Sequence, residues 1–251
     1  MTDHRLDTKR LAELLKRTRL PASESGMFVV FEGVDDAGKT SAANALCSML
    51  AERAVDFLVV NKLNHSLRDP VLSEAVDYAG RIVRHCSMRS VPRVPLTVAT
   101  ADALQCMLLY EGSVRPALER GQLVVADAWS YKQIVKNALE LNISAADETY
   151  LEWIAVLFGP SLREHVCVFF DVPIEVATVR KGGGMMTATE LRPGADKAAA
   201  DAEYQRILRE HLRKLAEFLG WTVLPIRAGA TPEDAAAIAF DVVARNPRFP
   251  A

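Results

Sequence analysis

The chain has 251 residues, half of them hydrophobic and a quarter charged, with a formal net charge of -2 at pH 7. That length is ample for one large α/β domain with a buried core, and the charge supplies no global basic field to favour nucleic acid or an anionic membrane. Four cysteines, Cys47, Cys86, Cys106 and Cys167, are scattered without a CxxC pair, so they read as buried, reduced thiols of an intracellular protein.

The first segment, Met1 to Leu20, is rich in Arg and Lys but lacks the apolar core of a signal peptide. Leu11, Leu14 and Leu15 recur at helical spacing, which predicts a short amphipathic helix packed on the main domain rather than a lid or a partner contact. Pro21 to Gly26 is a linker by composition. Residues 1–26 are therefore expected to be an N-terminal extension, residues 27–246 the main domain and residues 247–251 a tail.

"MFVVF", Met27 to Phe31, is an apolar run of strand length, and Lys39 to Arg53 reads as a helix with Ala42, Leu46, Met49 and Leu50 on one side. A second strand is expected over Asp56–Asn61, a long helix over Pro95–Arg120, and a third strand over Gln122–Asp127. His165–Val172 reads as a fourth strand, Ala202–Phe218 as a helix, and Trp221–Ile226 as a fifth strand. "TPEDAAAIAFDVVA" opens with a helix N-terminal signature. Continuous apolar strands separated by helices predict an α/β fold, with a five-stranded parallel sheet covered on both faces. No run approaches the ~20 apolar residues that span a bilayer. A cytoplasmic protein with no membrane or nucleic-acid partner is the expectation.

Gly33 to Thr40 reads G-x-x-x-x-G-K-T, the phosphate-binding loop pattern, with a strand before it and a helix after it. The residue types follow from the chemistry. A polyphosphate must be ringed by backbone N–H groups, and glycine lets the backbone approach. The following helix aims its N-terminal dipole at the anion. Lys39 supplies a point charge and Thr40 a hydroxyl for Mg²⁺. Gly33, Asp36, Ala37, Gly38, Lys39, Thr40 and Ser41 are the expected nucleotide-binding residues, with ATP and Mg²⁺ as the ligands.

The longer string "FVVFEGVDDAGKTSAANAL" resembles the thymidylate kinase family, a group of P-loop kinases whose loop reads FEGxDGxGKST. "VRPALERGQLVVADAW" is similar to that family's RPAL helix and its strand ending in DRY, and "FFDVPIEVATVRK" to its LDVxPExALxR segment. "AEYQRILREHLRKLAE" and "IRAGATPEDAAAIAF" match its closing helices and strand. The resemblance runs in order from about Met27 to Asn246. It implies a P-loop kinase fold with a flexible lid, phosphoryl transfer from ATP to a small acceptor, and a homodimer. It also implies that Asp35 positions the acceptor and its metal, and that Glu32 lies at the acceptor. Asp127 would reach Mg²⁺ or the acceptor across the switch point of the sheet, or cap the helix that starts near Ser130.

Departures from the family are as informative as matches. Asp36 stands where the family has glycine. It either adds charge beside a polyanion, which Mg²⁺ would have to offset, or tilts outward. The arginine of DRY is Ala128 here, and Trp129 replaces its aromatic. A second family arginine, on the preceding helix, falls on Cys106, preceded by Gln105. Lys62 stands near a third, as a point charge rather than a fork. Two phosphate-gripping guanidiniums are thus missing, which implies an acceptor other than ordinary thymidine monophosphate: a nucleotide or nucleoside, or another small hydroxyl-bearing or differently charged molecule. Glu32, Asp35, Lys62, Gln105 and Trp129 are the expected acceptor-side residues. Arg81, Arg84, Arg89 and Arg93 either rebuild an anion grip or are solvated surface charges.

Ala37 gives the loop no basic side chain, so transition-state charge would be met from the lid, Arg180 to Lys197. Arg180, Lys181 and Arg192 are the candidates, with Gly182, Gly183 and Gly184 as a hinge. Lys39, Asp35 and Asp127 complete the expected catalytic set. The competing reading is a P-loop protein that binds ATP as a regulatory module without turnover.

Overall fold

The structure, a computed structural model, describes residues 6–20, 24–63, 65, 67–86, 94–140, 148–180 and 197–250. Five parallel strands form one sheet in the order β2-β3-β1-β4-β5. Central β1 (Met27–Glu32) is buried along its whole length. Both faces of such a strand are covered, which is why it reads as an unbroken apolar run and not as an alternation. β3 (Leu123–Ala126) and β4 (Val166–Asp171) flank it, while β2 (Phe57–Val60) and β5 (Thr222–Pro225) are the less buried edges.

Register sets the site. Val30 pairs with Ala126 and Cys167, and Val60 also pairs with Ala126. Glu32, Asn61 and Asp127 therefore leave the sheet at the same edge. Chain order reverses about β1, and a crevice opens at such a point beyond the carboxyl ends of the strands.

Helices surround the sheet. α1 (Thr8–Thr18) packs on α7 (Glu148–Phe158) and α9 (Lys197–Leu219). Leu11, Leu14 and Leu15 are buried there as part of the main core. α2 (Lys39–Glu52) packs on α10 (Pro232–Ala244), whose start is fixed by a reciprocal cap. Asp234 N donates to Thr231 Oγ1 at 3.1 Å and Thr231 N donates to Asp234 Oδ2 at 3.0 Å, as the TPED string requires. α3 (Pro70–Cys86) lies on α4 (Pro95–Leu109), and α6 (Tyr131–Glu140) on α4 and α9. α8 (Ile174–Arg180) follows β4. No described helix is long and apolar enough to cross a membrane.

The helix expected over Pro95–Arg120 is broken. α4 ends at Leu109, a widened π turn covers Tyr110–Val114, and α5 (Arg115–Glu119) resumes. Pro116 has no N–H for the carbonyl of Gly112, and a wide turn absorbs that missing bond. Gly112 is also pressed by Leu67, whose Cδ2 would lie 2.7 Å from any added Cβ. The lid expectation falls mostly on residues 181–196, outside the described residues. Its two ends close α8 and open α9.

Candidate active site

The turn from β1 to α2 is shaped by its glycines. A Cβ at Gly33 would lie 2.9 Å from the Phe170 carbonyl oxygen. Gly38 sits at φ +89° as the N-cap of α2, where a Cβ would meet Arg180 Nη1 at 3.1 Å. Asp36 takes φ +56°. Aspartate tolerates that left-handed conformation better than most residues. The side chain is exposed, at the rim of the cavity beside the loop.

Lys39 is 8% exposed and folds back over the loop, donating to the carbonyls of Gly33 at 3.0 Å and Val34 at 2.6 Å. Burial, helped by the Lys132 ammonium, pushes it down to about 8, against the pull of Asp35, Glu32 and Asp127. Thr40 Oγ1 donates to Asp127 Oδ2 at 2.8 Å, and Asn61 Nδ2 donates to the same oxygen at 3.1 Å. The other oxygen, Asp127 Oδ1, is buried without a hydrogen-bond partner. An unsatisfied carboxylate oxygen next to a hydroxyl suits a small hard cation that keeps most of its waters. Thr40 and Asp127 are therefore a fitting pair for Mg²⁺.

Asp127 does not cap α6. Glu32 does: its Oε1 accepts from Trp129 N at 3.2 Å and from Tyr131 N at 3.0 Å. Glu32 is fully buried, which raises its pKa, and Lys62, Lys39, Lys132 and the Tyr131 N–H pull the other way. Its Oε2 has no partner.

Asp35 receives a hydrogen bond from Lys132 Nζ at 2.5 Å and one from Gln205 Nε2 at 3.4 Å. Lys132 and Gln205 come from α6 and α9, and neither was visible as a site residue in the sequence. No local spacing pointed to them, because the two contacts span 97 and 170 positions. Lys62 Nζ is buried beside the Cys106 thiol. Burial opposes its charge, but Cys106, Asp102 and Glu32 outweigh that and hold it above its ordinary value.

Of two further acceptor-side expectations, Trp129 lies in the core and Gln105 is tied to the backbone of Lys62. Trp129 packs edge-on to Phe28 at 5.4 Å, with Nε1 donating to the Ser161 carbonyl at 2.8 Å. Gln105 Nε2 donates to the carbonyls of Lys62 at 3.3 Å and Val76 at 3.4 Å, tying α4 to α3 and to the end of β2. Cys106 is buried beside Lys62 and Ser130, and burial raises its thiol. Arg81 stacks on Tyr78 at 4.8 Å, and both Arg81 and Arg84 are exposed, the solvated reading. Arg89, Arg93, Lys181, Arg192 and the Gly182–Gly184 hinge lie outside the described residues.

On the other side of the loop is a cavity of about 460 Å³, lined by residues 36–41, Phe170, Arg180, Ile226, Ala230–Pro232 and Ala235. Arg180 reaches into it, donating to the carbonyls of Ala37 at 3.2 Å and Ala230 at 3.3 Å.

A parallel sheet with this loop at the end of its central strand, and a hydroxyl–carboxylate pair beside the loop lysine, defines a P-loop kinase. No family model matches the chain. The thymidylate kinase of Bdellovibrio bacteriovorus is 29% identical over 210 residues, 82% of this chain and 90% of that protein. That of Janthinobacterium sp. is 26% identical over 195 residues, covering 77% and 85%. A probable thymidylate kinase of Thermococcus gammatolerans is 26% identical over 192 residues, covering 76% and 84%. Within its class the chain is thymidylate kinase-like, an enzyme whose relatives act on nucleotides.

Proposed function

We propose that the protein transfers the γ-phosphoryl group of ATP, with Mg²⁺, to a small acceptor of nucleotide or nucleoside type that is held differently from the acceptor of the thymidylate kinases it resembles. The observation that carries this reading is the Thr40–Asp127 contact beside Lys39. Two segments 87 positions apart converge there on the chemistry that phosphoryl transfer needs. The amides of residues 33–40 would cradle the polyphosphate, and Lys39 would leave the loop carbonyls for it. Thr40 and Asp127 would hold Mg²⁺, which supplies charge neutralisation on the phosphate oxygens. Arg180 would face the transferring group from the cavity side, with Lys181 and Arg192 as its partners from the lid. Asp35 and Glu32 face the acceptor.

A cytoplasmic homodimer belongs to the same proposal. Exposed Leu96 and Leu104 on α4 and Tyr78 and Ile82 on α3 support it, and light scattering at micromolar concentration tests it.

The function is tested by a coupled assay for ADP with ATP, Mg²⁺ and a panel of nucleosides and nucleoside monophosphates. Acceptor-dependent ADP is expected. Tight ATP binding without ADP on any acceptor would instead describe a regulatory P-loop protein.

A further inference from the structure

We infer that Arg19, at the end of the N-terminal extension, is a positioning residue for the acceptor side of the cleft: it holds residues 159–164, which fix the start of α6 and the Glu32 carboxylate bonded to it. This rests on the kinase reading. It gives a part in the site to the extension, which precedes the stretch resembling thymidylate kinases.

The contacts form an unbroken chain. Arg19 is the C-cap of α1, the end of a helix that favours a cation. Its guanidinium lies 3.4 Å from Glu164 Oε1 and also donates to the Glu164 carbonyl. Beside it, Thr18 presses on Gly159, where an added Cβ would lie 2.7 Å from three Thr18 atoms. The start of α6 holds the same segment from the other side. Tyr131 Oη donates to Glu164 Oε1 at 2.7 Å, Trp129 Nε1 donates to the Ser161 carbonyl at 2.8 Å, and Ser130 Oγ lies 3.2 Å from Ser161 Oγ. The N–H groups of Trp129 and Tyr131 then end on Glu32 Oε1. The next residue is Lys132, which pairs with Asp35.

Glu164 is the joint of this chain. Its side chain is 2% exposed, against 39% for that of Arg19. Burial pushes its carboxyl up, while the Arg19 guanidinium and the Tyr131 hydroxyl pull it down. Glu32 and Cys167, which also act on or feel this carboxylate, bring no positive charge. A buried carboxylate that loses its cation is strongly destabilised, so Arg19 sets whether Glu164 stays ionised and bonded to Tyr131. Stability alone does not account for an ionic joint here, because apolar residues of similar volume often serve a buried position as well or better. A fixed arrangement does account for it. Each bond has one donor, one acceptor and one direction, and a buried network of that kind specifies a single geometry. That geometry ends at Glu32, and the same helix carries the lysine that holds Asp35.

The test is amide hydrogen exchange on the full chain, read by NMR at Trp129 and Tyr131, which needs neither ligand nor turnover. Arg19→Met should speed exchange at these two amides by about tenfold or more, the worth of a hydrogen bond to a charged group. Amides of α10, which takes no part in the chain of contacts, should change by less than about twofold. Arg19→Lys should restore most of the protection. Tyr131→Phe keeps the ring and removes the Oη bond; it should act in the same direction, and it carries the test alone if Arg19→Met does not fold. In the nucleoside and nucleoside monophosphate panel, both variants should raise KM for the acceptor that gives ADP by about three- to tenfold, with Kd for ATP within about twofold. Unchanged exchange at Trp129 and Tyr131 overturns the proposal. Exchange that quickens equally in α10, or KM and ATP Kd that rise in step, would mark a merely structural role and also overturn it. Failure of the kinase reading is seen separately, as absence of ADP with every acceptor in wild type.

Discussion

The two halves of the cleft are built on different principles. The donor half is one continuous stretch, Gly33 to Ser41, in which backbone conformation does most of the recognition and two glycines make it possible. The acceptor half is assembled from side chains on β1, β2, α4, α6 and α9, each tied to another: Glu32 to the start of α6, Asp35 to Lys132 and Gln205, Gln105 to the backbone of Lys62. A backbone cradle tolerates little change, because any Cβ at its glycines collides. A side-chain cluster can exchange its members as long as charge is returned to the same place. The departures from the resembled family fit that difference in part: the cradle keeps Gly33, Gly38, Lys39 and a hydroxyl at 40, with Asp36 as its one exception, while the arginines at 106 and 128 are gone.

Substitutions can break this contrast from either side. Lys39→Ala should have the largest effect, lowering turnover by about 10²–10³-fold in steady-state assay, the range for removing one charge-stabilising group from a preorganised site. Asp127→Asn should raise the Mg²⁺ concentration needed for half-maximal activity by about 10–100-fold in a metal titration, because both the carboxylate charge and the hold on Thr40 weaken.

Acidity probes the donor half more gently. Lys39 is held near 8 in the ligand-free protein by burial and by Lys132. Its ammonium is needed for ATP, so affinity is full below pH 8 and falls as pH rises through it. Calorimetry should show about a fivefold weakening between pH 8 and 9, and Lys39→Arg should abolish that dependence. Smallest is Asp36→Gly. Relief of the left-handed backbone at φ +56° and loss of an exposed charge should tighten ATP by about two- to threefold, with stability changed by less than about 1 kcal/mol.

Legibility in the sequence follows the same division. The loop, the strands and the cap of α10 could be read because each is determined by neighbours along the chain. Thr231 and Asp234 are three residues apart, and the six residues of β1 are one apolar run. The break at Tyr110–Val114 was hidden because Pro116 lies inside an otherwise unbroken helical pattern. α3 escaped because only Val76, Ala79 and Gly80 are buried on it while Val71, Tyr78 and Ile82 are exposed, which blurs its periodicity. The role of Glu32 as the cap of α6 joins residues 99 positions apart, and the Lys132–Asp35 pair spans 97. No window along the chain contains either. Trp129 was read at the cleft because it stands where the resembled family's DRY string has its aromatic, yet the chain has left β3 by then and Trp129 turns into the core against Phe28.

The central claim is that one cleft joins a backbone-built donor site to an acceptor site assembled from side chains, for a single phosphoryl transfer. It is tested most directly by following the phosphoryl group itself, with γ-labelled ATP, Mg²⁺ and nucleoside monophosphates, in wild type and Lys39→Ala. Label is expected on a monophosphate acceptor with wild type and not with the variant. Label that stays on ATP with every acceptor, or that moves equally well without Lys39, would contradict it.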